Sequence, residues 1–190
     1  YGYSKHSFPF SPALFKNRIF NNEPIRGDLV VFKTPADNRT DYIKRIIGMP
    51  GDTIQFINGS LFINDEEVLR EEIKKEFFVR CGGLNLKVNA FYETLPNGKK
   101  YVAVYNSLGT LQNSDRYNVP KNHYFFLGDN RDCSKDSRFL SSVGYVKNEN
   151  LVGKAKIIFF SNDTLTSSFL KFWNWRDSLR MDRFLLKLWK

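Results

Sequence analysis

Short apolar runs, broken every few residues by Gly, Pro, Asn or Asp and with no helical period ahead of residue 165, commit this chain to strands. Arg26-Gly27-Asp28 is a turn feeding Leu29-Val30-Val31-Phe32, and residues 35–39 turn again before the run Asp41-Tyr42-Ile43-Lys44-Arg45-Ile46-Ile47. Gly48-Met49-Pro50-Gly51-Asp52 ends that run. Asn58-Gly59 separates Thr53–Ile57 from Ser60–Asn64, and it is a dipeptide that suits a tight hairpin because both residues tolerate positive φ. Lys121–Leu127 and Lys154–Phe160 predict two more strands. The expected fold is mainly β, with coiled antiparallel sheets forming a barrel-like catalytic core from residues 1–65 and 120–163. Residues 66–119 are charged and carry turns at Gly82-Gly83, Pro96-Asn97-Gly98 and Gly109, and they read as an inserted β subdomain. Tyr1–Asn22 reads as irregular. Residues 164–190 predict a basic amphipathic helix: Phe169, Phe172, Trp173, Leu179, Leu186 and Trp189 fall at helical spacing, while six Lys or Arg residues oppose only Asp177 and Asp182.

A chain of 190 residues with 42% hydrophobic content buries a real core and is not disordered. The net charge of +9 fits nucleic acid, an anionic membrane surface or acidic substrates, without choosing among them. Cys81 and Cys133 are too far apart for a CxxC motif and leave one disulfide open as a possibility. His6 and His123 have no paired ligand spacing, so no metal is expected, and no GxGxxG or Walker pattern marks a phosphate site. No apolar run reaches the roughly 18 residues that span a bilayer, so any membrane anchor is expected upstream of Tyr1.

Two places carry potential chemistry. On a strand, Lys44 shares a face with Tyr42 and Ile46. A lysine among apolar neighbours loses hydration, which disfavours the ammonium and leaves an amine able to act as a base. From periodicity alone, the strand favours a lysine that simply reaches solvent. The second place is Gly128 to Arg138, where Asp129, Asp132 and Asp136 alternate with Arg131, Lys135 and Arg138. Such a run is either a solvated turn or a loop whose ion pairs hold a catalytic wall, with Gly128 permitting close backbone approach.

The strings Arg26 to Phe32, Tyr42-Ile43-Lys44-Arg45-Ile46-Ile47-Gly48-Met49-Pro50-Gly51-Asp52 and Gly128-Asp129-Asn130-Arg131-Asp132-Cys133-Ser134-Lys135-Asp136-Ser137-Arg138, in that order, resemble three signature boxes of bacterial type I signal peptidases. The Tyr1-Gly2-Tyr3-Ser4 start and the Trp173-Asn174-Trp175 ending resemble the alphaproteobacterial branch. The resemblance implies a serine endopeptidase with a Ser/Lys dyad that removes signal peptides from exported preproteins and needs no cofactor. It implies Lys44 as general base and Ser134 as the hydroxyl that orients its amine. Asp136 and Arg138 would form a structural ion pair, with Gly128, Asp129 and Arg131 shaping the same loop. Val31 and Ile43 would line shallow pockets, and Asp41, Tyr42 and Ile43 would pair with an extended substrate.

The family's Ser-Met-x-Pro-Thr nucleophile box is absent from the 190 residues. The nucleophile is therefore expected before Tyr1, and the chain alone is expected not to cleave. The partners implied are signal peptides of preproteins and an anionic membrane surface, not nucleic acid. The location implied is the bacterial inner membrane, with the catalytic domain on its periplasmic side. A self-cleaving repressor-type Ser/Lys protein lacks the Gly128–Arg138 loop. A basic, non-enzymatic β-barrel module binding lipid or nucleic acid is the alternative from another class, and it leaves both strings unexplained.

Overall fold

The computed structural model describes residues 22–106, 108–158 and 185–188. Its contacts divide the chain into two units, Tyr1–Lys154 and Ala155–Lys190. In the first unit the strands run β1 (Leu29–Lys33), β2 (Asp41–Gly48), β3 (Thr53–Ile57), β4 (Ser60–Ile63), β5 (Glu66–Glu67), β6 (Leu69–Glu72) and β7 (Phe77–Cys81). They continue with β8 (Leu84–Thr94), β9 (Lys100–Asn106), β10 (Tyr117–Asn118), β11 (His123–Leu127), β12 (Val146–Lys147) and β13 (Leu151–Lys154).

One antiparallel sheet, in the order β12-β11-β2-β1-β13, carries the site. Both faces of β11 are covered, Phe125 and Leu127 entering one core cluster and Tyr124 and Phe126 the other, which is why this strand is apolar at nearly every position. The pleat of β2 sends Ile46 into a cluster with Val30, Phe32, Phe126 and Leu151, and Ile47 into a second cluster with Ile54, Phe56, Tyr101, Tyr105 and Leu127. Phe32 and Phe126 stack with ring centres 4.4 Å apart. Burying each such side chain contributes roughly 1.5–3 kcal/mol. The β3–β4 hairpin closes at Asn58-Gly59, both at positive φ, 49° and 77°.

Residues 66–119 supply β5 to β10. The eleven-residue β8 is their spine. Along one edge it pairs with β7 and then β6, and along the other with β9. The free edge of β9 reaches the Gly128–Arg138 loop through a Val104–Asn130 bridge, with the Val104 N–H on the Asp129 carbonyl at 2.8 Å.

Two expectations change. The strand expected over Lys154–Phe160 is not continuous: β13 ends at Lys154, where its pairing with β1 runs out at Val30, and a separate β14 (Ile157–Ile158) follows in the second unit. The expected C-terminal helix lies mostly outside the described residues, but Leu186–Lys187 form β15, paired antiparallel with β14. Pairing with a neighbour overrides the helical spacing of the apolar residues there, as tertiary context does with weak local preference. The irregular stretch expected at the N-terminus lies outside the described residues up to Asn21. Among the described residues no helix is long and apolar enough to cross a membrane.

Candidate active site

The β1–β2 ladder sets Lys44 opposite Val30 in the apolar face of the sheet, and the Lys44 side chain runs past the Tyr42 ring, with Nζ 5.6 Å from its centre. Its Nζ lies 2.8 Å from Ser134 Oγ and donates to it, across 90 residues of sequence. Burial lowers the Lys44 pKa from the ordinary lysine value; Asp136 pulls it back up, Arg138 pushes it down and Asp129 pulls it up. The loss of hydration wins because, among the described residues, no carboxylate touches the amine, whose contact is a neutral hydroxyl.

Ser134 is itself buried, and its place depends on a bare glycine. A Cβ at Gly128 would overlap the Ser134 side chain, so only glycine leaves room for the hydroxyl at the end of β11. Asp136, fully buried, accepts the Gly128 N–H at 3.0 Å and forms a two-pronged pair with the Arg138 guanidinium at 2.8 and 2.9 Å. Arg138 also donates to the Arg131 carbonyl.

The remaining charges of the loop reach outside it. Asp129 pairs with Arg45 of β2 at 2.7–2.8 Å, and Arg131 pairs with Glu93 of β8. Arg131 and Glu93 are each 1% exposed. Both terminal nitrogens of Arg131 reach the carboxylate, at 3.0 and 2.6 Å, and the hydroxyls of Tyr101 and Tyr105 at 2.7 and 2.6 Å. Tyr101 and Tyr105 donate to Glu93 in turn. Burial would raise the Glu93 pKa, but Arg131 and the two hydroxyls hold it below the usual carboxylate range. Cys81 and Cys133, left open by the sequence, are joined in a disulfide with Cα atoms 5.8 Å apart.

Glu93, Tyr101, Tyr105 and Arg45 were not expected at the site. The signal for three of them was present in the Pro96-Asn97-Gly98 turn, which fixes a hairpin register setting Glu93 opposite Tyr101, with Tyr105 on the same face four residues on. Val31 and Ile43 face each other across β1 and β2, on the side of the sheet away from Lys44's apolar neighbours. Ile43 is 48% exposed. The ladder from β11 covers β2 only from Arg45 to Gly48. Among the described residues, the same edge of Asp41–Ile43 pairs with no strand. Asp41 also holds Lys33 Nζ at 2.9 Å.

A half-buried lysine, a hydroxyl against it and an open strand edge beside it form an arrangement suited to acting on an extended peptide. Residues 5–160 match the family model described as signal peptidase, peptidase S26. The chain belongs to that signal peptidase family. The signal peptidase I of Rickettsia typhi is 43% identical across the whole of this chain and 76% of its own length, and that of Rickettsia prowazekii is 40% identical over the same shares. A crystal structure of a signal peptidase I from Enterococcus faecalis aligns at 27% identity over 70% of this chain and 97% of that one, with a TM-score of 0.42. Strand β8 supplies Glu93, and β9 supplies Tyr101 and Tyr105, to the loop that holds Ser134.

Proposed function

We propose that this member of the signal peptidase family removes signal peptides from preproteins through a Ser/Lys dyad in which Lys44 is the general base. The observation that carries the reading is the half-buried Lys44 amine held 2.8 Å from Ser134 Oγ with no carboxylate of the described residues in contact. A neutral amine takes the proton of the attacking serine hydroxyl and, as an ammonium, returns it to the leaving amine. Ser134 aims the amine, and the nucleophilic serine comes from a Ser-Met-x-Pro-Thr box upstream of Tyr1. The substrate lies extended along Asp41–Ile43 as an added strand, with its small side chains against Val31 and Ile43. The reading extends to location on the periplasmic side of the inner membrane. The Cys81–Cys133 disulfide supports an oxidising compartment, and the +9 charge supports an anionic lipid surface.

The test has two arms. The rate at which Lys44 is acylated, followed by peptide mapping across pH, is expected to reach half its maximum below the ordinary lysine value of about 10.4. An ordinary midpoint would remove the base. In a preprotein assay that includes the upstream serine box, Lys44→Ala is expected to lower kcat by about 10²–10⁴-fold. The 190-residue chain alone is expected to leave the preprotein intact, and specific cleavage by it would place the nucleophile inside these residues.

A further inference from the structure

The contact between Lys44 and Ser134 depends on where a few residues of backbone are held, and that stretch is fastened on both sides. After Ser134, Asp136 is locked by the Gly128 N–H and the Arg138 guanidinium. Immediately before Ser134, Cys133 is bonded to Cys81, 52 residues away at the end of β7. β7 is itself laced to β8 through five successive pairs, Phe77↔Val88 to Cys81↔Leu84, so the bond ties the residue beside Ser134 to a sheet rather than to a loop. The neighbouring fastening at Asp132, to the Asn106 N–H at 2.7 Å and the Thr110 hydroxyl at 2.6 Å, faces water, which competes for the same groups. Arg131 is firmly buried but lies three residues before Ser134.

We propose that Cys81 is a positioning residue for Lys44: through its disulfide to Cys133 it anchors the backbone next to Ser134 to β7 and so keeps the hydroxyl against the amine. The proposal rests on the reading of Lys44 as the base. The charged groups that bear on Lys44 are Asp136, Arg138 and Asp129, all in the Gly128–Arg138 loop, with the Tyr42 ring on its own strand. In the double-serine variant, opening the link adds no charge near the amine. It frees the Cys133 side of Ser134, lets the hydroxyl withdraw and admits water to Nζ, so the amine holds its proton to higher pH.

The experiment uses the 190-residue chain and begins with peptide mapping without reductant, which is expected to recover the Cys81–Cys133 cross-linked peptide; recovery of both as free thiols would overturn the proposal. Lys44 acylation against pH is then followed in three samples: the oxidised protein, the same protein reduced by a phosphine, and the double variant C81S/C133S. In the reduction each disulfide takes one phosphine and one water to give two thiols and a phosphine oxide. The midpoint for Lys44 is expected to rise by about half a unit to one unit in the last two samples. A Lys44 midpoint that is lowered and identical in all three would overturn the proposal and leave the base intact. An ordinary midpoint in the oxidised protein would instead sink the base reading. Loss of fold in both the reduced and the double-serine samples, seen by circular dichroism at 25 °C, would make the bond a stability element and also overturn the proposal.

Discussion

Lys44 and Arg131 are both cations drawn in from water, Lys44 in part and Arg131 wholly, yet their pKa values move in opposite directions. For each, desolvation is the largest influence and favours loss of the proton. Around Arg131 it is outweighed by Tyr101, Glu93 and Tyr105, whose oxygens meet the guanidinium at 2.6–3.0 Å, and the charge is kept. Around Lys44 the contacting oxygen belongs to a hydroxyl, and the carboxylates of Asp136 and Asp129 act only through space. Burial alone therefore does not lower a cation's pKa; burial without a touching counter-charge does. One loop, from Gly128 to Arg138, serves both outcomes, with a compensated arginine as its anchor and a hydroxyl presented to the uncompensated amine.

The contrast is broken most sharply by Glu93→Gln, which keeps the shape of the cluster but strips Arg131 of its countercharge. An uncompensated buried cation costs about 3–5 kcal/mol, and a denaturant melt is expected to show a loss of that size. Wild-type stability in this variant would mean that the two tyrosines suffice. Next is Gly128→Ala, whose methyl must displace the Ser134 side chain. Overpacking of this kind costs about 1–3 kcal/mol, and moving a positioned group by about an ångström lowers kcat on the order of 10²-fold. Cleavage at the wild-type rate would show that Ser134 does not aim the base. The smallest effect is expected from Lys44→Met. The folded pKa of Lys44 lies below its unfolded value, so the folded state gives up a proton first, and wild-type stability rises with pH between the two values. The methionine variant is therefore expected to be the more stable below that window, and its advantage to shrink as pH climbs through it. Parallel melting curves at all pH values would contradict a lowered Lys44 pKa.

Much of the fold could be read locally. The run from Asp41 to Ile47, the Asn58-Gly59 hairpin and the strand before Gly128 are set by apolar alternation and turn residues within a few positions of one another. Lys44 and Ser134 were legible only through the family strings, because periodicity cannot join residues 90 apart. Glu93 was missed because a carboxylate in a charged stretch reads as solvent-facing, and its burial depends on an arginine 38 residues away. The terminal segment misled at Leu186–Lys187, where apolar residues at helical spacing gave no hint that Ile157–Ile158 would be their partner.

The halt of β11 at Leu127 turns the sheet into a gauge. A peptide that adds to the free edge of β2 finds it open over Asp41, Tyr42 and Ile43 and already occupied from Arg45 onward. At the rise of a strand, three residues amount to about 10 Å, and the amine of Lys44 stands where that allowance ends. Under the proposed function, how far a bound chain zips up would be set by this ladder and not by the sequence it holds, so peptides with little in common would come to rest at one distance from the same nitrogen.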